Sequence, residues 1–400
     1  MASALTWLDY SDSDRRQAIE VLSAFRDRES RDELGLGSIR DSFAEQLFPG
    51  TSTIQTRARY FLFVPWIYRL VEEGVGGRGG SSAKRARKLE AELIAVLVAS
   101  GDADGTIGRR AGTDLQRLPS AIYWSGLRTL GLRQFSGSRE AYHRWLDQGG
   151  SSRRERMVED GDPEATDERS ASAWLRLPPP PEGFPSGVSL RLTSADASFL
   201  QERVRSAVPG TFLEHLLTKD GLIQTEYPWD HADDPTLSPQ IAEQLRHAEV
   251  FSLVMHGAAL LYNLLLAEHS DNDERVATYR GRLGTWVAEC GELDRRLAAW
   301  DLQRFWEIVH AGPSHVSSRT VEFCESWVGF LNSPGTVAND LAARALVSER
   351  ERRLKRARAR LQNPRALKNW SGASGTERLT FRWGISRILV DDILKGLIDA

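Results

Sequence analysis

The chain has 400 residues, a formal net charge of −3 and an apolar fraction of 41%. That length can bury a sizeable core over two or three subdomains, and the charge excludes a global polycation, so nucleic-acid binding would need local basic patches. Two cysteines, Cys290 and Cys324, exclude a disulfide framework and point to a reducing, cytoplasmic setting.

Taken in chain order, the apolar spacing predicts helix after helix. The opening MASALTWLDYSDSDRRQ has no basic region followed by an apolar run, which argues against a secretory leader. Ser11 or Ser13 can cap a helix to about Phe25. A short helix over 38–48 carries Ile39, Phe43, Ala44 and Leu47 on one face and stops at Pro49-Gly50. The hydroxyls Thr51, Ser52 and Thr53 precede an apolar helix over 54–73, with a kink expected near Pro65. A glycine-rich link leads to a helix over 83–100. The loop after it offers Asp102 and Asp104 but lacks the other calcium ligands, so calcium is rejected. Residues 118–132 predict a helix entered at Pro119-Ser120.

Residues 147–190 are polar and then proline-rich (LRLPPPPEGFPSG), and predict an exposed connector between a helical domain at 1–146 and a second at 191–400. Helices follow over 194–207, from 211, over 239–268, and near 273–289, 302–311, 316–331, 336–361 and 384–398. VSLRLTS (188–194) is the best of few strand signals. The 239–268 stretch reads as a core helix because Ser252, His256 and Asn263 interrupt it, so no membrane is expected. The fold class is therefore mainly α, with two helical halves.

Chemistry-bearing motifs are sparse. His310 and His315 are separated by Pro313 and have no partner ligands in sequence, so no metal is expected. No phosphate loop or dinucleotide fingerprint occurs, and no cofactor is expected. Asp391-Asp392 reads as a solvated helix face, because adjacent helical residues diverge by about 100°. Arg57 and Arg59 stand at the start of an apolar helix, where they oppose the macrodipole and ask for an anion. That anion is either a phosphate or an internal carboxylate, with Asp27, Glu29, Asp32, Glu33 and Asp41 as the nearby series. The internal answer is preferred, with one arginine structural and the other free to face a cleft.

The strongest feature is a basic run. From Arg344 to Lys368 there are ten Lys or Arg and two Glu. On a helix, Arg352, Arg356 and Arg360 would line one strip with Arg353 beside it, and Arg365 and Lys368 follow. Such a strip can track a phosphate backbone, DNA for preference, without reading bases. Arg382 and Trp383 could add stacking. A loose helix-turn-helix reading of 105–135 offers Ser120, Tyr123, Arg128 and Arg133.

Four pieces carry a resemblance: WLDYSDSDRRQ, RDELGLGSIRDSFAEQLFPGTSTIQTRARYFLFVPWIYR, LPSAIYWSGLRTLGLR and LQNPRALKNWSGASGTERLTFRW. Together they resemble an uncharacterised bacterial family found near helicases and other proteins in mobile or phage-defence gene clusters. The resemblance implies a role in defence beside such proteins, and assigns no catalytic residue. The expectation is a non-catalytic accessory or scaffold subunit of an anti-phage complex that binds nucleic acid through its basic helix. The alternatives are a nuclease or nucleotide-processing enzyme with a non-standard site, or a pure protein–protein scaffold.

Overall fold

A computed structural model describes residues 32–74, 80–101, 104–109, 115, 117–149 and 173–399. The helix expected before Phe25 lies outside these residues, as do the acids Asp27 and Glu29 and most of the polar half of the expected connector. The fold is mainly α, with 62% helix and no strand among the described residues. VSLRLTS is accordingly irregular; its Val188, Leu190 and Leu192 are buried without a ladder partner.

Two compact units interleave along the sequence. The first comprises the chain up to Phe43 (described from residue 32), His231–Asp234 and Ala242–Phe381; the second comprises Ala44–Asp230, Pro235–Ile241 and Arg382–Ala400. The expected boundaries near 146 and 190 both fall inside the second unit.

Helix α1 (Gly37–Leu47) follows the loop Asp32–Leu36. In the second unit the central element is α2 (Tyr60–Glu72), in which every residue from Tyr60 to Tyr68 is buried. It starts later than expected, with Arg59 at its N-cap, and runs past Pro65. Against it pack α3 (Ser82–Ala99) and α4 (Pro119–Thr129), followed in sequence by α5 (Arg139–Asp147). Tyr68, Trp124, Tyr142 and Trp174 form an aromatic cluster with ring centroids 5.5–5.9 Å apart. Burying each such ring contributes about 1.5–3 kcal/mol. The proline-rich run is mostly exposed, with Leu177 buried, and it lies along α2: Arg69 donates to the Leu175 carbonyl, Trp66 to that of Pro178 and Arg59 to that of Ser189. Helix α6 (Ser194–Ala207) begins with a capping box between Thr193 and Asp196, and α7 (Phe212–Leu216) follows.

The first unit is built around α8 (Pro239–His269), which has Pro239 in its first turn. Its most apolar stretch is 89% buried, as expected for a core helix. Around it stand α9 (Asp273–Glu292), α10 (Asp294–Ala298), α11 (Leu302–Ala311), α12 (Ser318–Val328), α13 (Leu341–Lys355) and α14 (Pro364–Leu367). Trp286 and Trp327 donate their indole N–H groups to the Leu253 and Val254 carbonyls of α8. Helix α15 (Trp383–Ile398) returns to the second unit and lies close on α6, where Gly396 leaves room for Ala197 and Leu192.

Candidate nucleic-acid interface

The basic run does not form one helix. Helix α13 ends at Lys355, and Arg356 adopts φ 51° and ψ −122°, which terminates helical hydrogen bonding. The strip expected from Arg352 through Arg356 to Arg360 therefore does not exist as a helical face. The residues divide into three groups.

The first group is held inside. Arg350 is 6% exposed and donates to the Leu34 and Gly35 carbonyls, the Arg319 carbonyl and Thr320 Oγ1, with its guanidinium over Phe323. Arg360 and Lys355 both turn onto Glu33, which is 3% exposed. Arg360 also reaches Ser374 Oγ at 2.8 Å. Glu351, fully buried, accepts from Tyr262 Oη at 2.6 Å and from the backbone N–H groups of Arg360 and Leu361 at 2.8 and 3.0 Å. A buried carboxylate thus folds the chain after α13 back onto its own helix. Burial and the neighbouring Glu351 charge both push the Tyr262 phenol well above its usual range.

The second group is exposed but shared. Arg352 and Arg353 both pair with Glu349, with N–O distances of 2.5 and 2.6 Å. Hydrogen bonds from the two guanidiniums hold the Glu349 carboxyl at about 2. The third group is exposed and open: the side chains of Arg356, Arg365 and Lys368 have no ion-pair or hydrogen-bond partner among the described residues. Arg358 is exposed in the same stretch.

The loop Asp32–Gly37 is the hub of this region. Asp32 accepts from the N–H groups of Leu36 and Gly37 at 2.5 and 2.7 Å and so caps α1. Glu33 gathers Lys355 and Arg360, and the carbonyls of Leu34 and Gly35 hold Arg350. An open cleft of about 500 Å3 lies beside it, between the start of α1, the 314–315 loop and the end of α13.

Arg57 and Arg59 do find internal carboxylates, as preferred, but neither comes from the nearby series. Arg57 forks onto Asp392 of α15 (2.7–3.0 Å), and the Ala58 N–H donates to the same carboxylate at 2.9 Å. Asp392 is 6% exposed, and Asp391 accepts from the Ile223 N–H at 3.0 Å. The solvated reading of that pair is corrected: the two carboxylates diverge, as helix geometry requires, yet each is used. Arg59, 4% exposed, pairs with Asp196 at 3.1 Å, the residue that also caps α6. Neither arginine is left facing a cleft without a counterion.

The helix-turn-helix reading also dissolves into packing. Ser120 is fully buried against Glu90, donating from N–H and Oγ at 2.8 Å each. Tyr123 Oη accepts from the Thr56 and Arg57 N–H groups and donates to the Arg57 carbonyl. The Arg133 guanidinium lies 4.6 Å over Trp124. Arg128 is exposed and donates to the Gln134 carbonyl at 2.7 Å. Trp383 is 2% exposed, packed against Phe48 and Phe212, and Arg382 pairs with Glu45 at 2.6 Å, so both are structural.

Sequence reading missed Glu90, which is fully buried; desolvation pushes its carboxyl up to about 7. Nearby His143 bonds Tyr68 Oη through Nε2 and Ser82 Oγ through Nδ1, and burial pushes it down to about 4. Every one of these polar atoms is satisfied within the network, and Tyr68, Glu90 and His143 form part of the wall of an open cleft of about 410 Å3. Among the described residues no cluster of three or more His, Cys, Asp or Glu is placed to hold a metal ion.

The model of a family of unknown function, DUF6361, matches residues 2–396. The chain belongs to that family. Searches of curated proteins and of solved structures returned no match.

Proposed function

We propose that this DUF6361 member binds nucleic acid through its phosphates, without base specificity, and uses the exposed cations between Arg352 and Lys368 to do so. The carrying observation is that Arg356, Arg365 and Lys368 stand exposed with no counterion among the described residues, beside Arg352 and Arg353, which share a single carboxylate. Cations that fold stability does not use are the ones available to a phosphate backbone. Arg360 is withdrawn from the interface by Glu33.

The wider role proposed is that of a non-catalytic, cytoplasmic accessory in a bacterial anti-phage complex, beside proteins such as a helicase. That part rests on the sequence resemblance alone. The test is equilibrium binding to two unrelated random DNA sequences over a salt series. The expected result is equal affinity for both and a log–log salt slope of about −3 to −5, the value for four or five neutralised phosphates. A sequence-dependent affinity, or a slope near zero, would argue for another ligand.

A further inference from the structure

The cleft beside the Asp32–Gly37 loop has features that fold stability does not explain. Ser38, Ser314 and His315 all line it, and none of their side chains has a hydrogen-bond partner among the described residues. Arg358 and Lys355, the latter with its ammonium on Glu33, line the same space, and Leu354 offers an apolar wall that is 42% exposed. The acids present are engaged: Asp32 by the α1 N–H groups and Asp41 by Arg40 at 3.1 Å. Arg350 and Glu33 fix the wall from behind, so the site is preorganised. Hydroxyls and an imidazole lining one space with cations suit a group rich in acceptor oxygens. A volume of about 500 Å3 exceeds what a lone inorganic ion needs and fits a nucleotide-sized ligand.

We propose that this cleft binds the phosphomonoester of a nucleotide, with the phosphate among Ser38, Ser314, His315 and Arg358 and the nucleoside against Leu354. A monoester carries more charge than the diester of a continuous backbone and three acceptor oxygens in place of two. The inference deepens the nucleic-acid reading above. The phosphate can belong to a strand end or to a free mononucleotide.

The test uses the full chain and fluorescently labelled single-stranded 12-mers bearing a 5′ phosphate, a 3′ phosphate or hydroxyls at both ends, with a nucleoside monophosphate as competitor. Calorimetry with the mononucleotide alone runs in parallel. The variants are His315→Ala with Ser314→Ala and, separately, Ser38→Ala, each checked for unchanged thermal unfolding. Should one fail to fold, the other is read in the same titrations. The expected result is that one phosphorylated oligonucleotide binds about tenfold tighter than the hydroxyl form, and that the cleft variants abolish this advantage while leaving hydroxyl-ended binding in place. Displacement by the mononucleotide would extend the site to free nucleotides; no displacement would assign it to strand ends. Equal affinity for all three oligonucleotides, together with no mononucleotide heat, would overturn the proposal while leaving backbone binding intact. If no oligonucleotide binds, the backbone reading fails; mononucleotide binding lost in the variants would still support the cleft, and its absence would overturn it.

Discussion

Asp391 and Asp392 are neighbours in sequence with different duties. Asp392 holds the Arg57 fork and the Ala58 N–H, and it does so from a buried position. Replacing it with Ala removes the carboxylate from the Arg57 fork and strands a backbone donor, and should cost about 3 kcal/mol. Asp391→Ala removes one acceptor for the Ile223 N–H, and should cost about 1 kcal/mol. Urea unfolding of the two variants side by side checks the ordering. Arg356 poses the opposite case. Its positive φ is a conformation that glycine adopts without cost. Arg356→Gly should therefore stabilise the fold by about 1 kcal/mol while lowering the salt slope of DNA binding by about one. Greater stability with weaker binding is an outcome that a purely structural arginine would not give.

At the scale of elements, Glu90 of α3 serves the N-terminus of α4, where Leu118 at the N-cap offers no side-chain acceptor. Burial outweighs its hydrogen bonds and raises its folded pKa to about 7. Because the folded value lies above the unfolded one, the carboxyl's contribution is full below about 4.5 and is lost as pH rises through about 7. The loss across that window is about 3 kcal/mol at most. Urea midpoints should fall between pH 5 and pH 8 in the wild type and change less in Glu90→Gln. A second element-scale test concerns α8 and α9. A Cβ on Gly257 would come within 2.3 Å of the Trp286 ring, so Gly257→Ala should cost about 1–3 kcal/mol by overpacking.

Most helices were legible in the sequence because each carries its own apolar period and its own stop. Leu302–Ala311 and Pro239–His269 match the expected limits to within one residue. The failures have a common cause, which is partners far away in sequence. Asp392 meets Arg57 and Glu33 meets Arg360 across more than 300 residues, and no local period announces such a pairing. The break at Arg356 was equally hidden, because good helix formers continue through it and the buried Glu351 ends the helix by accepting from Arg360 and Leu361. One signal was available. Glu349 stands three and four residues before Arg352 and Arg353, the spacing at which helical ion pairs form.

For the molecule as a whole, the central claim is that cations unused by the fold form the nucleic-acid interface. A net charge of −3 makes this a local property of the first unit and not of the chain. Charge reversal therefore has to be placed on the open residues, since reversing Arg360 would unpair Glu33 and confuse binding with folding. The most direct measurement is binding to random single- and double-stranded DNA, over a salt series, by the wild type and by Arg356→Glu/Arg365→Glu/Lys368→Glu, with thermal unfolding as the folding control. Steeply salt-dependent wild-type binding that the folded variant loses is the predicted result. No wild-type binding at low salt, or equal binding by the variant, would contradict the account.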